Sequence, residues 1–230
     1  MAQTASRARP RGQLAMEAVA LVIASGLIVT LAVRVGRGLA GAAEIASLAA
    51  GIAIGYLIAD FFTGFAHWFG DSFFEEESPV IGPVLIQPFR EHHRDPLAMT
   101  HHGLLELMGN SALVLSPVLA AAWWWRPGGA GWPGVLVGSA LVTFASAALL
   151  TNLFHRWAHA APNVPALVAR LQAWGVILAP DHHATHHAPP HLIGYCVTSG
   201  WVNRFTDAAG VFRALERFGS ACGLPLTRAR

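Results

Sequence analysis

Histidine is unusually abundant in this 230-residue sequence, where its 12 copies nearly match the 13 acidic residues and none precedes His67. Neutral imidazole is the commonest metal ligand in proteins, and it suits iron, zinc, copper and nickel. The histidines therefore indicate a metal centre. They fall into four groups, which are His67 near Asp71; His92, His93, His101 and His102; His155 and His159; and His182, His183, His186, His187 and His191.

Helical spacing recurs within these groups. Residues four apart share one face of a helix, so each such pair can direct two side chains at one ion. The pairs with this spacing are His67 and Asp71, His155 and His159, His182 and His186, and His183 and His187. One zinc ion takes three or four protein ligands. The larger number here favours two ions with supporting residues, and two irons held mainly by nitrogen could use O2 to remove hydrogen from an unactivated C–H bond.

Histidines also occur in proteins without any catalytic role. A single histidine at a membrane surface is commonly just a polar side chain, and a histidine-rich tail can merely sequester metal. Here the groups are dispersed along the chain from His67 to His191, among Trp, Phe and Pro residues, which disfavours both possibilities. The two cysteines, Cys196 and Cys222, lack the spacing of a metal site, so thiolate ligation is not expected.

The elements that must position these histidines are membrane helices. The sequence is 54% hydrophobic and 12% charged, whereas soluble domains carry about 25% charged residues. A spanning helix needs about 20 apolar residues, and four segments qualify, at 14–33, 45–62, 107–125 and 132–153. We expect an all-α, multi-pass membrane helical bundle, with a Pro/Gly turn at 126–131 making the last two helices antiparallel. The first segment also has features of a signal peptide, which is the alternative for it.

Four crossings would bring every histidine group to one side of the membrane. The basic residues Arg7, Arg9 and Arg11 precede the first helix, and the positive-inside rule then predicts that both termini and the histidines are cytoplasmic. Segments 163–180 and 192–202 are apolar but interrupted, and we interpret them as helices lying in the interface. We predict one membrane domain over 1–230, with a tail and first helix at 1–44 and a core at 45–220.

Several blocks of this sequence resemble the Kua-type lipid desaturase family, to which plasmanylethanolamine desaturases belong. The blocks are FREHHRDPLAMTHH, TNLFHRWAH, HHATHH and PPH followed by TSGWVNR, in the family's order and with similar gaps. The resemblance covers about residues 55–220. It implies that His155 with His159 and His183 with His187 are the two histidine boxes, while the family pattern requires only the second histidine of His101 and His102.

The resemblance also implies a set of site residues and a reaction. The implied catalytic residues are His67, Asp71, His155, His159, His183, His186 and His187. The implied metal ligands or their supports are these seven together with His92, His93, His102, His182 and His191. The implied reaction is O2-dependent desaturation of the 1-O-alkyl chain of an ether phospholipid, which converts plasmanylethanolamine to plasmenylethanolamine, a plasmalogen.

This hypothesis requires two iron ions and O2 as co-substrate. It also requires an external electron donor, which is either a cytochrome b5-like protein or a ferredoxin. The expected partners are the lipid, the donor protein and the membrane, which we expect to be a bacterial inner membrane. We expect no nucleic-acid partner. The nearest alternative is a desaturase or hydroxylase of a phospholipid acyl chain, a fatty acid or a sterol. A membrane metal sensor, a transporter or a light-stress signalling protein is the non-catalytic alternative, although transport would favour ionisable residues near mid-membrane.

Overall fold

The computed structural model describes residues 11–125, 127–129 and 131–227. Outside these ranges lie the predicted basic start at Arg7 and Arg9, and also Arg126 and Ala130 of the predicted turn. Within them every regular element is a helix, which confirms the all-α prediction. The α-helices are α1 (Arg11–Arg37), α2 (Ala42–Ser72), α3 (Gln87–Arg94), α4 (Leu104–Trp125), α5 (Gly131–Ala160), α6 (Ala166–Ala173), α7 (Pro180–His187), α8 (Asn203–Ala208) and α9 (Val211–Ala221).

Four of these helices, α1, α2, α4 and α5, are long and apolar enough to cross a membrane. The predicted segments are all found, but α2 and α5 are longer than predicted. At 31 and 30 residues and about 1.5 Å per residue, each exceeds the roughly 30 Å of a bilayer's hydrocarbon core. The extra turns follow the apolar run and carry histidines. The spanning helices thus deliver His67 and His155 beyond their own apolar segments.

The packing of α2 on α5 depends on small residues. A Cβ added at Gly51 would lie 2.0 Å from Ser139 Oγ, and one added at Gly55 would lie 2.2 Å from the carbonyl oxygen of Ala140. Because no side chain fits there, the two backbones approach closely, as is typical of helix pairs in membranes. The two helices run in the same direction, so their last turns lie side by side.

Helices α4 and α5 form the predicted antiparallel pair. Asn152, near the end of α5, donates a hydrogen bond to the Leu107 carbonyl near the start of α4, at 3.0 Å. Helix α1 packs along α4, where the buried Glu17 lies against Gly109. The starts of α1 and α4 are therefore at the same end of the bundle as the ends of α2 and α5.

The shorter elements close this histidine-bearing end. A π-helix (Gly82–Ile86) leads into α3, and a 3-10 helix (Ala98–His101) precedes α4. Part of the predicted interfacial segment 163–180 forms α6, but the prediction of a helix at 192–202 is wrong. Gly194 and Gly200 have φ of 76° and 82° there, and the backbone N–H groups of Thr198, Ser199 and Gly200 donate to Asp60 instead of to carbonyls one turn earlier.

Candidate metal centre

The last turns of α2 and α5 and the short helices α3 and α7 bring eight histidines together. Two sets of side chains have ligand atoms that all lie within 4.8 Å of one another. The five-histidine group comprises His92, His155, His159, His183 and His187. The four-histidine group comprises His67, His92, His93 and His186.

The five-histidine group is a close cluster of Nε2 atoms. His183 Nε2 lies 2.7 Å from His155 Nε2, 2.9 Å from His159 Nε2 and 3.0 Å from His187 Nε2. A nitrogen ligand lies about 2.0–2.1 Å from its metal, so two ligands at right angles around one ion are about 3 Å apart. The observed separations match nitrogens that share one ion.

Asp71 adds a carboxylate oxygen to the four-histidine group. Its Oδ2 lies 2.9 Å from His93 Nε2, 3.4 Å from His67 Nε2 and 3.5 Å from His186 Nε2. Asp71 is on the face of α2 that His67 occupies, as their spacing of four predicts. One carboxylate and several imidazoles therefore converge on a single point.

His92 belongs to both groups and lies between them. Its side chain is buried, and its Nε2 forms no hydrogen bond with the described residues. His67 Nε2 and Asp71 Oδ1 are likewise buried without a hydrogen-bond partner among them. Leaving buried polar atoms unpaired costs about 1–3 kcal/mol each, and metal ions at the two convergence points would satisfy them. The donor set fits two nitrogen-rich metal sites.

Backbone carbonyls contact the Nδ1 atoms of two of these histidines, on the side of the ring away from the group. His67 Nδ1 lies 3.1 Å from the Tyr195 carbonyl oxygen, and His186 Nδ1 lies 2.8 Å from that of Ile193. When Nδ1–H donates to a carbonyl, the lone pair of the imidazole is left on Nε2, which here faces the group. These contacts favour the tautomer in which Nε2 could bind a metal ion.

The electrostatic environment favours the neutral form of His92, His183 and His187. Burial, reinforced by neighbouring histidines, holds the pKa of His92 and His183 well below the ordinary value. The same causes lower the pKa of His187 to about 3. A neutral imidazole has a lone pair available at neutral pH, so protons do not compete with metal there.

Three predicted metal residues lie outside both groups. Asn203 Nδ2 is 2.9 Å from His182 Nε2, which therefore has a protein partner. His191 Nδ1 is 3.0 Å from the His186 carbonyl oxygen, and the His191 ring lies 4.8 Å from the His93 ring between centroids. His102 lines a neighbouring cavity, while His101, which the sequence does not favour, is exposed. The other nine predicted residues are brought together.

An apolar cavity of about 130 Å³ opens beside the metal centre, between α2, α4 and α5. Aliphatic and aromatic side chains, including Phe62, Val114 and Leu115, form much of its wall, and His92 and His155 also line it. Other polar side chains that line it are Thr63, His102, Glu106, Asn110, Ser111, Thr151 and Asn152. The cavity can accept a chain with an apolar tail and a polar end.

Some supporting residues cannot be found from the sequence. In the sequence Asp60 only marks the end of an apolar run, yet it is fully buried and bonded to residues 198–202. Asn203 binds both the N–H and the carbonyl of Cys196. The TSGWVNR block is a signal for this region, although its sequence alone does not reveal that it lies against α2.

Comparison with known proteins places this arrangement in a family. The lipid desaturase domain matches residues 56–223. Plasmanylethanolamine desaturase of Myxococcus xanthus is 41% identical over 88% of this chain and 70% of its own length. Plasmanylethanolamine desaturase 1 of Mus musculus is 37% identical over 72% of this chain and 62% of its own length.

A plant relative is more distant, since fatty acid desaturase 4, chloroplastic, of Arabidopsis thaliana is 32% identical over 70% of this chain and 48% of its own length. The chain thus spans less than two thirds of the mouse and plant proteins. No solved structure matches it. Because the domain match includes every residue of both histidine groups and covers well over half of the sequence, this chain belongs to the lipid desaturase domain family.

Proposed function

We propose that this protein is an iron- and O2-dependent membrane desaturase that forms the vinyl ether bond of plasmalogens from plasmanylethanolamine. The observation that carries the proposal is the meeting of two nitrogen-rich ligand groups with an apolar cavity, at His92 and His155. A soluble substrate would not need that cavity between spanning helices. The names of the Myxococcus and mouse relatives supply the substrate class.

We infer that the ions are two irons. His155, His159, His183 and His187 would hold one ion, and Asp71 with His67, His93 and His186 the other, with His92 between them. Bound iron would supply O2-dependent removal of two hydrogen atoms from neighbouring carbons. The protein's part is to orient Nε2 of His67 and His186 towards the metal, to keep buried imidazoles such as His92 and His183 neutral, and to hold the substrate beside them.

The balance of the reaction requires a partner. Reduction of O2 to two water molecules takes four electrons and four protons. Two electrons and two protons come from the two C–H bonds that become the double bond, and the rest come from outside. The described residues include no cysteine cluster for an iron–sulfur centre, since Cys196 is buried and Cys222 stands apart from it in the sequence. An external cytochrome b5-like protein or ferredoxin is the proposed donor.

The cavity would hold the first carbons of the alkyl chain next to His92 and His155. Its apolar end, at Val114 and Leu115, faces the membrane interior along α4, whereas Glu106 and His102 lie at the end nearer the helix starts. An ether phospholipid has its oxygen next to the carbons to be oxidised. The polar atoms of the cavity would therefore meet the glycerol end, and the apolar wall would exclude water from the reacting carbons.

We also propose that the histidine-bearing end and both termini face the cytoplasm of a bacterial inner membrane. Arg11 starts α1 at that end of the bundle, and cytoplasmic ends carry the excess of basic residues. A reporter enzyme fused after Arg230 tests the orientation. Activity of a periplasm-specific reporter at that position would contradict it.

A second candidate is desaturation or hydroxylation of an acyl chain. The similarity to fatty acid desaturase 4 of Arabidopsis favours it, since that relative is 32% identical over 70% of this chain. An acyl ester would place its oxidised carbons near the polar end of the same cavity. Lipid analysis separates the two, because only a vinyl ether releases an aldehyde in acid.

The deciding experiment expresses the chain in bacteria that make no vinyl ethers and are fed a 1-O-alkylglycerol, with lipids measured by mass spectrometry. We expect acid-labile vinyl ethers with the wild type and with His101→Ala, whose imidazole is exposed and outside both groups. His155→Ala should give none. Iron-loaded wild type that yields only altered acyl chains would establish the second candidate instead.

A further inference from the structure

A non-helical stretch, residues 193–202, and the first residue of α8, Asn203, lie along the face of α2 that bears the metal-directed side chains. Cys196 packs directly on α2 at Gly64, where an added Cβ would lie 2.5 Å from the cysteine Sγ. Tyr195 meets His67 one turn further on, at 3.1 Å between its carbonyl oxygen and Nδ1. The segment therefore runs antiparallel to α2, turn by turn.

Asp60 fixes the far end of this segment. Its Oδ1 accepts hydrogen bonds from the backbone N–H groups of Thr198, Ser199 and Gly200, at 3.1, 2.9 and 3.0 Å. Its Oδ2 accepts from the N–H of Val202 at 3.0 Å and from the Ser199 hydroxyl at 3.2 Å. The Asp60 side chain is fully buried, so water does not compete for these five bonds.

The near end of the same segment is the support of the four-histidine group. The carbonyl oxygens of Ile193 and Tyr195 face the Nδ1 atoms of His186 and His67. Between the two ends, Asn203 holds Cys196 by both its N–H, at 2.8 Å, and its carbonyl oxygen, at 2.9 Å. The segment is therefore held at intervals, and a shift at its Asp60 end would displace the two carbonyls.

We propose that Asp60 is a positioning residue for the metal centre. It acts through residues 193–203, whose carbonyls set the tautomer and ring orientation of His67 and His186. The spacing on α2 supports this, because Asp60, Gly64, His67 and Asp71 recur at three or four residues and share one helix face. Asp60 itself is about two helical turns from His67, or roughly 10 Å along the axis. The inference rests on the proposed iron site.

The experiment compares Asp60→Asn with Gly138→Ala, a control that destabilises the bundle elsewhere. A Cβ added at Gly138 would lie 2.6 Å from a methyl group of Val35 and 2.8 Å from Gly128 Cα. Gly138 precedes His155 by about 25 Å along α5, so this strain arises far from the histidines. Each variant is purified in detergent and loaded with 57Fe. Iron content, the rate of iron release to a chelator, the Mössbauer spectrum and the melting temperature of the metal-free protein are measured.

We expect Asp60→Asn to release iron at least about tenfold faster than the wild type, with altered Mössbauer parameters, because displacing the partners of metal ligands typically lowers metal affinity by about 10–100-fold. Gly138→Ala should lower the melting temperature and keep wild-type iron release. A folded Asp60→Asn protein with unchanged release and spectrum would overturn the proposal. So would equally fast iron release from Gly138→Ala, because general destabilisation would then explain both.

A milder variant decides the matter if Asp60→Asn does not fold. Ser199→Ala removes one of the five bonds to Asp60, and we expect a release rate raised a few-fold; an unchanged rate would overturn the proposal. The proposed reaction can fail separately. Wild type that binds iron but makes no vinyl ether contradicts that reaction and leaves the iron measurements valid for Asp60, whereas wild type without iron overturns both.

Discussion

His93 Nε2 lies 2.9 Å from Asp71 Oδ2, although the two residues are 22 apart in the chain and belong to different helices. Asp71 ends an apolar spanning helix, and His93 belongs to a short helix that crosses over it. This contact joins α3 to α2 at the four-histidine group. Asp71 is the one carboxylate among the described residues that lies within 3.5 Å of three histidine nitrogens.

Asp71→Asn should remove the charged ligand while preserving the size of the side chain. We expect iron to fall from two ions towards one per chain and desaturation to drop at least about 100-fold, at the upper end of losses seen around metal sites. Iron analysis and vinyl ether measurement on the same preparation test this. Glu77→Gln changes an exposed acid and should match the wild type; two bound irons in Asp71→Asn would refute the role.

Val114→Trp should obstruct the cavity without touching a metal-directed side chain. Val114 lines the apolar end, and a bulky ring there would compete with the substrate chain for volume. We expect product to fall by about tenfold or more with iron content unchanged. Val29→Trp, on the outward surface of α1 where 62% of Val29 is exposed, is the control. Equal activity of both variants would show that the chain does not enter this cavity.

Gly64→Ala should destabilise the protein, because the new methyl group would meet Cys196. Overpacking of this kind costs about 1–3 kcal/mol, and we expect a lower melting temperature. Gly26→Ala, on α1, has no atom within 4 Å of the added methyl and should be neutral or slightly stabilising, since alanine favours helices. A melting temperature for Gly64→Ala at or above that of Gly26→Ala would contradict the close approach of residues 193–203.

His182→Ala should retain both irons. The sequence suggests a metal role for His182, but its Nε2 lies 2.9 Å from the Asn203 amide nitrogen and outside both groups. We expect normal iron content and reduced thermal stability, whereas His183→Ala, one residue further on, should lose iron. Iron analysis of the two purified variants is sufficient, and loss of an iron from His182→Ala would restore it as a ligand.

Much of this architecture could be predicted because hydropathy and helical spacing are local signals. The four apolar segments appear as α1, α2, α4 and α5, and the i,i+4 pairs are found on continuous helices. Hydropathy underestimates the length of α2, since its last ten residues are too polar for the hydrocarbon core and are stabilised by tertiary contacts. Those ten residues include His67 and Asp71.

The assignment of histidines to two groups was not predictable from spacing. His92 and His93 are adjacent, yet His93 joins only one group and His92 joins both. Such a division depends on how α3 crosses the ends of α2 and α5. The contacts of Asp60 are hidden from the sequence for the same reason, because its partners are about 140 residues away in the chain. The tertiary structure alone brings them together.

Of the four long helices, α2 contributes only to the four-histidine group and α5 only to the five-histidine group, whereas the short helices α3 and α7 contribute to both. Binding of the first ion would therefore immobilise two short helices that the second ion also needs. The first ion would bear the entropic cost of ordering these helices, so the second ion would bind without that cost. Metal loading should consequently be cooperative, so that chains with two ions and chains with none outnumber chains with one.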